Sequence, residues 1–111
     1  MESYTFNRKI PVEEYDLVVA GGGPGGASAA ICAARLGAKV LLVEATGCLG
    51  GMGTSGLVCA FDPMANGEKM IVGGFMRELV ETLYERGFIA PGTDPGVWRK
   101  YDHCWTPFQP E

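Results

Sequence analysis

Three glycines in G-x-G-x-x-G spacing, Gly21, Gly23 and Gly26, and an acid further along, Glu44, have the residue types and order to hold a dinucleotide. Gly21 permits a tight turn, Gly23 leaves no Cβ between the backbone and a pyrophosphate, and Gly26 lets the following helix lie close to a sheet. The free amides of that helix's first turn then face the anion, with the positive end of the helix dipole adding on the order of 1 kcal/mol. Pro24 suits the first turn, where its missing N–H costs no intrahelical bond. At the end of a strand, the Glu44 carboxylate can accept hydrogen bonds from both hydroxyls of an adenosine ribose. The same charge repels a 2′-phosphate, which disfavours NADP.

In a chain with 17 glycines the spacing carries weight only in context. Before the glycines runs Leu17–Ala20, apolar, partly β-branched and closed by glycine, as a buried parallel strand is. After them Ala27–Leu36 is alanine-rich and stops at Gly37, the pattern of a helix with a C′ glycine. A second apolar run, Val40–Val43, ends at Glu44. Strand, glycine loop, helix, strand and acid thus follow one another within the roughly 30-residue βαβ unit of the dinucleotide fingerprint. An α/β, Rossmann-like FAD/NAD(P)-binding type of fold with a parallel sheet is the expectation. Against it stands a βαβ unit whose glycine turn serves packing alone.

With 111 residues the chain is one domain at most. Two clear parallel strands are too few to bury a parallel sheet, so the sequence reads as the N-terminal portion of an incomplete fold, a piece of a longer protein. The net charge of −4 and the scattered Lys and Arg exclude a nucleic-acid partner. The polar opening, Met1–Asp16, lacks the apolar core of a secretion signal. The longest apolar stretch is interrupted by Arg35 and Lys39, short of the roughly 20 residues of a membrane span, so no membrane partner is expected and a cytoplasmic protein is.

Cys32, Cys48, Cys59 and Cys104 form no C-x-x-C pair, and His103 is the single histidine, so no metal site is expected. Cys32 and Cys59 are expected as buried thiols in a reducing compartment. Cys48, near the glycine loop, is left without an assigned role.

Immediately after the acid, Ala45–Gly56 (ATGCLGGMGTSG) has five glycines among its twelve residues and no helical or strand pattern. Something must come close to its backbone. At the carboxyl end of the sheet it borders the crevice where dinucleotides lie. Gly50 and Gly51 let the chain pass beside a pyrophosphate or ribityl chain, and Thr54 and Ser55 offer hydroxyls.

The pairing of GGGPGG, a strand ending in Glu44, and LGGMGTSG resembles the amino-terminal part of FAD-dependent oxidoreductases with two dinucleotide-binding domains. The likeness is strong over Tyr15–Leu57 and weak beyond. It implies FAD as cofactor, with Gly21, Gly23, Gly25 and Gly26 facing the pyrophosphate and Glu44 the adenosine ribose. Gly50, Gly51 and Thr54 would lie along the stretch leading to the flavin, and Gly22, Pro24, Ala45 and Met52 count among the contacting positions. It implies flavin-mediated electron or hydride transfer on a small-molecule substrate that the sequence does not specify, and no residue stands out as a catalytic acid, base or nucleophile. Flavoprotein disulfide reductases carry C-x-x-x-x-C in this region; here Met52 and Gly53 stand four and five residues after Cys48, which excludes that chemistry. Related flavoproteins also return to the flavin near their carboxyl end. Two other readings stand beside this one. An NAD-binding dehydrogenase half-domain has no need of a second glycine-rich passage after the acid, and a truncated, non-catalytic fragment neither holds flavin tightly nor turns over.

Residues 1–14 read as a lead-in, with Ile10, Pro11 and Val12 pairing at a sheet edge, and residues 15–111 as a partial FAD-binding domain (15–44 the βαβ core, 45–56 the second glycine-rich loop). Leu57–Phe61 suits either a short strand or the start of a helix, and Ala65–Glu68 a turn. Gly74–Arg86 is an amphipathic helix with Phe75, Met76, Leu79, Val80 and Leu83 inward, ended by Gly87. Ile89–Gly96 is a proline and glycine loop. The tail carries Trp98, Tyr101, His103, Trp105 and Phe108, aromatics that cover a core edge or line a pocket, with His103 as a possible acid or base. Pro107–Glu111 reads as the start of another helix.

Overall fold

A computed structural model describes residues 1–5, 7–89 and 106–109. Strand β1 (Leu17–Ala20), helix α1 (Pro24–Arg35) and strand β2 (Val40–Val43) form the expected unit of strand, helix and parallel strand. Leu17 faces Val40 and Ala20 faces Val43 in register. Asp16 fixes that register: its amide donates to the Lys39 carbonyl at 2.9 Å, and its carboxylate accepts the Lys39 amide at 2.8 Å. The two strands therefore start level, and their carboxyl ends deliver the glycine turn and Glu44 side by side.

Helix α1 begins at Pro24, which takes the first turn as expected, three residues ahead of the alanine-rich run. Gly23 is extended at the N-cap and Pro24 takes the first helical position, so Gly25 and Gly26 lie inside the helix. It ends as expected, with Gly37 in the left-handed region at φ 93°. α1 packs on both strands and also touches the loop after Glu44.

The strands differ from expectation in burial. Val18 is 58% and Val43 51% exposed, because α1 covers one face of the pair and nothing among the described residues covers the other. Ile10 and Val12 are also exposed and form no strand, so the expected edge pairing is absent: Pro11 has no N–H to give and no partner strand lies alongside among the described residues.

The apolar core lies in the second part of the chain. Leu57–Phe61 resolves as a strand, β3, only over Ala60–Phe61, and it pairs antiparallel with β4 (Thr106–Pro107). Phe61 and Phe108 stack with ring centroids 4.1 Å apart. Helix α2 (Gly74–Glu85) buries Val80 completely, and Met64, Val80, Ile89 and Phe108 form the core with Met76 and Leu83 packed on it. The expected turn at Ala65–Glu68 is closed by Asn66, whose side-chain oxygen accepts the amides of Glu68 and Lys69 at 3.2 and 3.1 Å. Thr106–Pro107 is strand and Phe108 bridges to Ile89, its ring in the core; the helix expected to follow Pro107–Glu111 lies outside the described residues. Thr106 is fully buried, and its hydroxyl has no partner among the described residues. The rest of the expected tail and most of the Ile89–Gly96 loop, including Trp98, Tyr101, His103, Cys104 and Trp105, lie outside the described residues.

Arg35 at the end of α1 reaches Glu78 of α2 through two parallel hydrogen bonds of 2.7 Å and lies over the Phe75 ring. Both charged partners are more than half exposed, so the pair fixes geometry more than it adds stability. No helix among the described residues is long and apolar enough to cross a membrane.

Candidate functional site

The glycine turn leaves β1 through Gly21, whose amide extends the sheet by donating to the Val43 carbonyl at 2.8 Å. Its φ of 101° turns the chain sharply across the end of β2. The next amide, on buried Gly22, points at Glu44 and donates to Oε2 at 2.6 Å. A Cβ on Gly22 would displace the Leu49 side chain and lie 3.0 Å from Glu44 Oε2, so glycine suits this contact best. On Gly26 a Cβ would collide with the Gly21 carbonyl oxygen and come within 3.3 Å of Val19 Cγ1. The helix consequently seats close against the strand it follows. The α1 ladder opens with the Ala27 amide donating to the Gly23 carbonyl at 2.8 Å, so the Gly25 and Gly26 amides precede the ladder and keep their protons for an anion. A Cβ on Gly23 or Gly25 would meet nothing within 4 Å. That side of the turn is open.

Glu44 is half-buried at the end of β2, its carboxylate turned toward the glycine turn. Besides Gly22 it accepts the Thr46 amide at 2.8 Å and the Thr46 hydroxyl at 2.9 Å, both on Oε1. The Thr46 amide, then the Gly22 amide, then the Thr46 hydroxyl hold the carboxyl below its ordinary value, outweighing partial burial, which acts the other way; the Ala45 amide adds a weaker pull. Glu44 is therefore ionised throughout the neutral range.

The second glycine loop docks on the first. The Gly50 amide donates to the Gly22 carbonyl at 2.8 Å, and a Cβ on Gly51 would lie 3.1 Å from Gly23 Cα. Gly50, at φ 103°, makes the turn into a 3-10 turn over Gly51–Gly53 that stands over the N-terminus of α1. Thr54 turns inward: its hydroxyl donates to the Leu49 carbonyl at 2.6 Å, which closes the loop and leaves only acceptor lone pairs for a ligand. Ala45 and Met52 are exposed. The Cys48 thiol lies 3.0 Å from the Ser55 hydroxyl, which with Thr54 holds it below the ordinary thiol value.

Cys32 and Cys59 are exposed, not buried as expected. α1 turns Cys32 away from the sheet, and β3 is too short to enclose Cys59. No group of three or more His, Cys, Asp or Glu among the described residues could hold a metal ion. An open hollow lined by Glu13, Glu14, Tyr15, Asp16, Val18 and Lys39 lies away from the glycine loops, and its acidic rim is unsuited to an anion.

The structure brings Gly22 to Glu44 and Gly50, Gly23 to Gly51, and Gly26 to Gly21. The residue that the sequence reading passed over is Thr46. A threonine two residues beyond an acid can fold its amide and hydroxyl back onto that acid's carboxylate, and this was the available signal.

Residues 16–111 match the family model described as FAD dependent oxidoreductase. Dihydrolipoyl dehydrogenase of Trypanosoma brucei brucei is 57% identical over 47 residues, which is 41% of this chain and 10% of that protein. Mitochondrial dihydrolipoyl dehydrogenase of Schizosaccharomyces pombe is 63% identical over 38 residues, 34% of this chain and 7% of that protein. Soluble pyridine nucleotide transhydrogenase of Mycobacterium tuberculosis is 54% identical over 41 residues, 37% of this chain and 9% of that protein. The chain spans about a tenth or less of the length of these curated relatives. No solved structure matches the chain.

Proposed function

This chain belongs to the FAD dependent oxidoreductase family, and we propose that its two glycine loops and Glu44 grip the AMP half of FAD. Gly21, Gly22, Gly23, Pro24, Gly25 and Gly26 border the pyrophosphate. Glu44 and Ala45 border the adenosine ribose, and Gly50, Gly51, Met52 and Thr54 border the stretch toward the flavin. The single observation that carries this is the 2.6 Å bond from the Gly22 amide to Glu44, which places the ribose-reading acid beside the bare turn that meets the phosphates. A turn packed as tightly as Gly22 and Gly26 require, yet open at Gly23 and Gly25, fits a bound pyrophosphate.

When bound, the isoalloxazine supplies electron or hydride transfer. The chain's own residues do the holding. The Gly25 and Gly26 amides and the α1 dipole face the pyrophosphate charge. Ionised Glu44 accepts from the ribose and repels a 2′-phosphate. The substrate we propose is a small molecule, and residues 15–111 contribute to the FAD-binding domain, preceded by the lead-in at 1–14. Exposed, free Cys32, Cys48 and Cys59 support a reducing, cytoplasmic setting.

The test is the visible absorbance of the purified chain, followed by release and identification of the chromophore. A yellow protein, or a colourless one that takes up FAD stoichiometrically, is the expected result. Uptake of NADH with refusal of FAD would replace this reading by the dehydrogenase half-domain, and binding of neither would leave a non-binding fragment.

A further inference from the structure

Most of the acceptor capacity of Glu44 is already used within the protein. An ionised carboxylate offers about four acceptor positions, two on each oxygen. The Thr46 amide and hydroxyl take both positions on Oε1, at 2.8 and 2.9 Å, and the Gly22 amide takes one on Oε2 at 2.6 Å. We infer that Thr46 is a specificity-determining residue: by filling Oε1 it leaves Glu44 a single open position, on Oε2, so that Glu44 accepts one adenosine ribose hydroxyl and not two. This rests on the FAD-binding reading above.

The Thr46 hydroxyl has a rival acceptor, the Cys48 carbonyl at 3.0 Å, and only one proton to give. A bond to a carboxylate is stronger than one to a neutral carbonyl at similar length, so the Thr46 hydroxyl donates its proton toward Glu44 Oε1. The amide of the same residue holds Oε1 from a second direction, and the side chain of Glu44 is thereby fixed in one orientation. Thr46→Val keeps the branched shape and the amide but removes the hydroxyl, which opens the second position on Oε1. Thr46→Ser keeps the hydroxyl and should behave as the wild type.

The experiment titrates ADP, 2′-deoxy-ADP and 3′-deoxy-ADP into the 111-residue chain by calorimetry, after FAD uptake has been measured on the same preparation. In the wild type one deoxy analogue is expected to bind within about twofold of ADP and the other about tenfold more weakly. In Thr46→Val both deoxy analogues should fall about tenfold below ADP, because each hydroxyl now has an acceptor. Thr46→Ser should restore the one-sided pattern. A merely structural threonine would change all three affinities together and leave their ratios alone. Equal weakening of both analogues in the wild type, which needs no variant to fold, overturns the inference, as does a one-sided pattern kept by Thr46→Val. If FAD is taken up and the ratios disagree, this inference alone fails. If neither FAD nor ADP binds, the FAD reading fails and takes this inference with it.

Discussion

The region of the glycine loops and the region around α2 are held together by opposite means. Between β1 and Gly56 the cohesion is backbone and polar: the Gly22 amide on Glu44, the Gly50 amide on the Gly22 carbonyl and Thr54 on Leu49. There only Gly22 and Ala30 are buried, and Val18 and Val43 remain open to solvent. Between Phe61 and Phe108 the cohesion is apolar, with Met64, Val80, Ile89 and Phe108 closed around a stacked ring pair. The proposed FAD site requires accessible amides and an accessible carboxylate, and groups that must stay accessible cannot also form a dry core. The chain places its apolar packing elsewhere and ties the two regions through α1, α2 and the Arg35–Glu78 pair.

If that division is real, the two regions should fail differently. The largest effect belongs to the core: Phe108→Ala should lower unfolding free energy by about 3 to 5 kcal/mol in chemical denaturation, while the molecules still folded bind FAD as before. A parallel loss of affinity would show that the regions act as one unit for binding. Next comes Gly26→Val, which puts a side chain into the Gly21 carbonyl and pushes α1 off the turn. FAD affinity should drop about a hundredfold or more with the helical circular dichroism retained, and a variant that binds normally would remove the close helix seat from the cofactor's requirements.

Smaller again is Glu44→Gln, expected to weaken FAD or ADP by about ten- to a hundredfold in equilibrium titration. Acid sharpens the same point. The folded carboxyl lies below its ordinary 4.5, so the contribution of charged Glu44 is complete above that pH and disappears as pH falls through the lower, folded value. FAD retention should hold at pH 5 and fail only further down, and in Glu44→Gln that part of the acid profile should vanish. Release already complete at pH 5 would contradict the Thr46 and Gly22 bonds. Arg35→Ala should change least, with FAD affinity unaltered and little measurable change in thermal midpoint, because its pair with Glu78 is solvent-exposed. A large shift would mean that the α1–α2 contact, and not either region alone, decides stability.

Much of this was legible in the residues. The βαβ order, both strand ranges, the C′ glycine at Gly37 and the α2 stripe are local patterns, and each formed where its period or punctuation placed it. Pro24 marks the first turn of α1, as its missing N–H suggests, and Gly25 and Gly26 continue the helix although glycine disfavours it; at Gly26 the Gly21 carbonyl leaves no room for a larger side chain. Cys32 and Cys59 are exposed where buried thiols are expected, because apolar neighbours in sequence do not say which way a given position faces. The strand at Thr106–Pro107 depended on Phe61 more than forty residues earlier, a pairing that no local pattern encodes.

By itself the sequence determined the chemistry, since glycine at 21, 23 and 26 and an acid at 44 are residue types that no packing can substitute. Tertiary structure alone decided how that acid is used. Glu44 meets Gly22 only because β1 and β2 run parallel and level, and its remaining acceptor depends on where the Thr46 hydroxyl points. Backbone direction follows from short-range patterns, whereas the sharing of lone pairs among donors follows from distances that exist only once the strands are side by side.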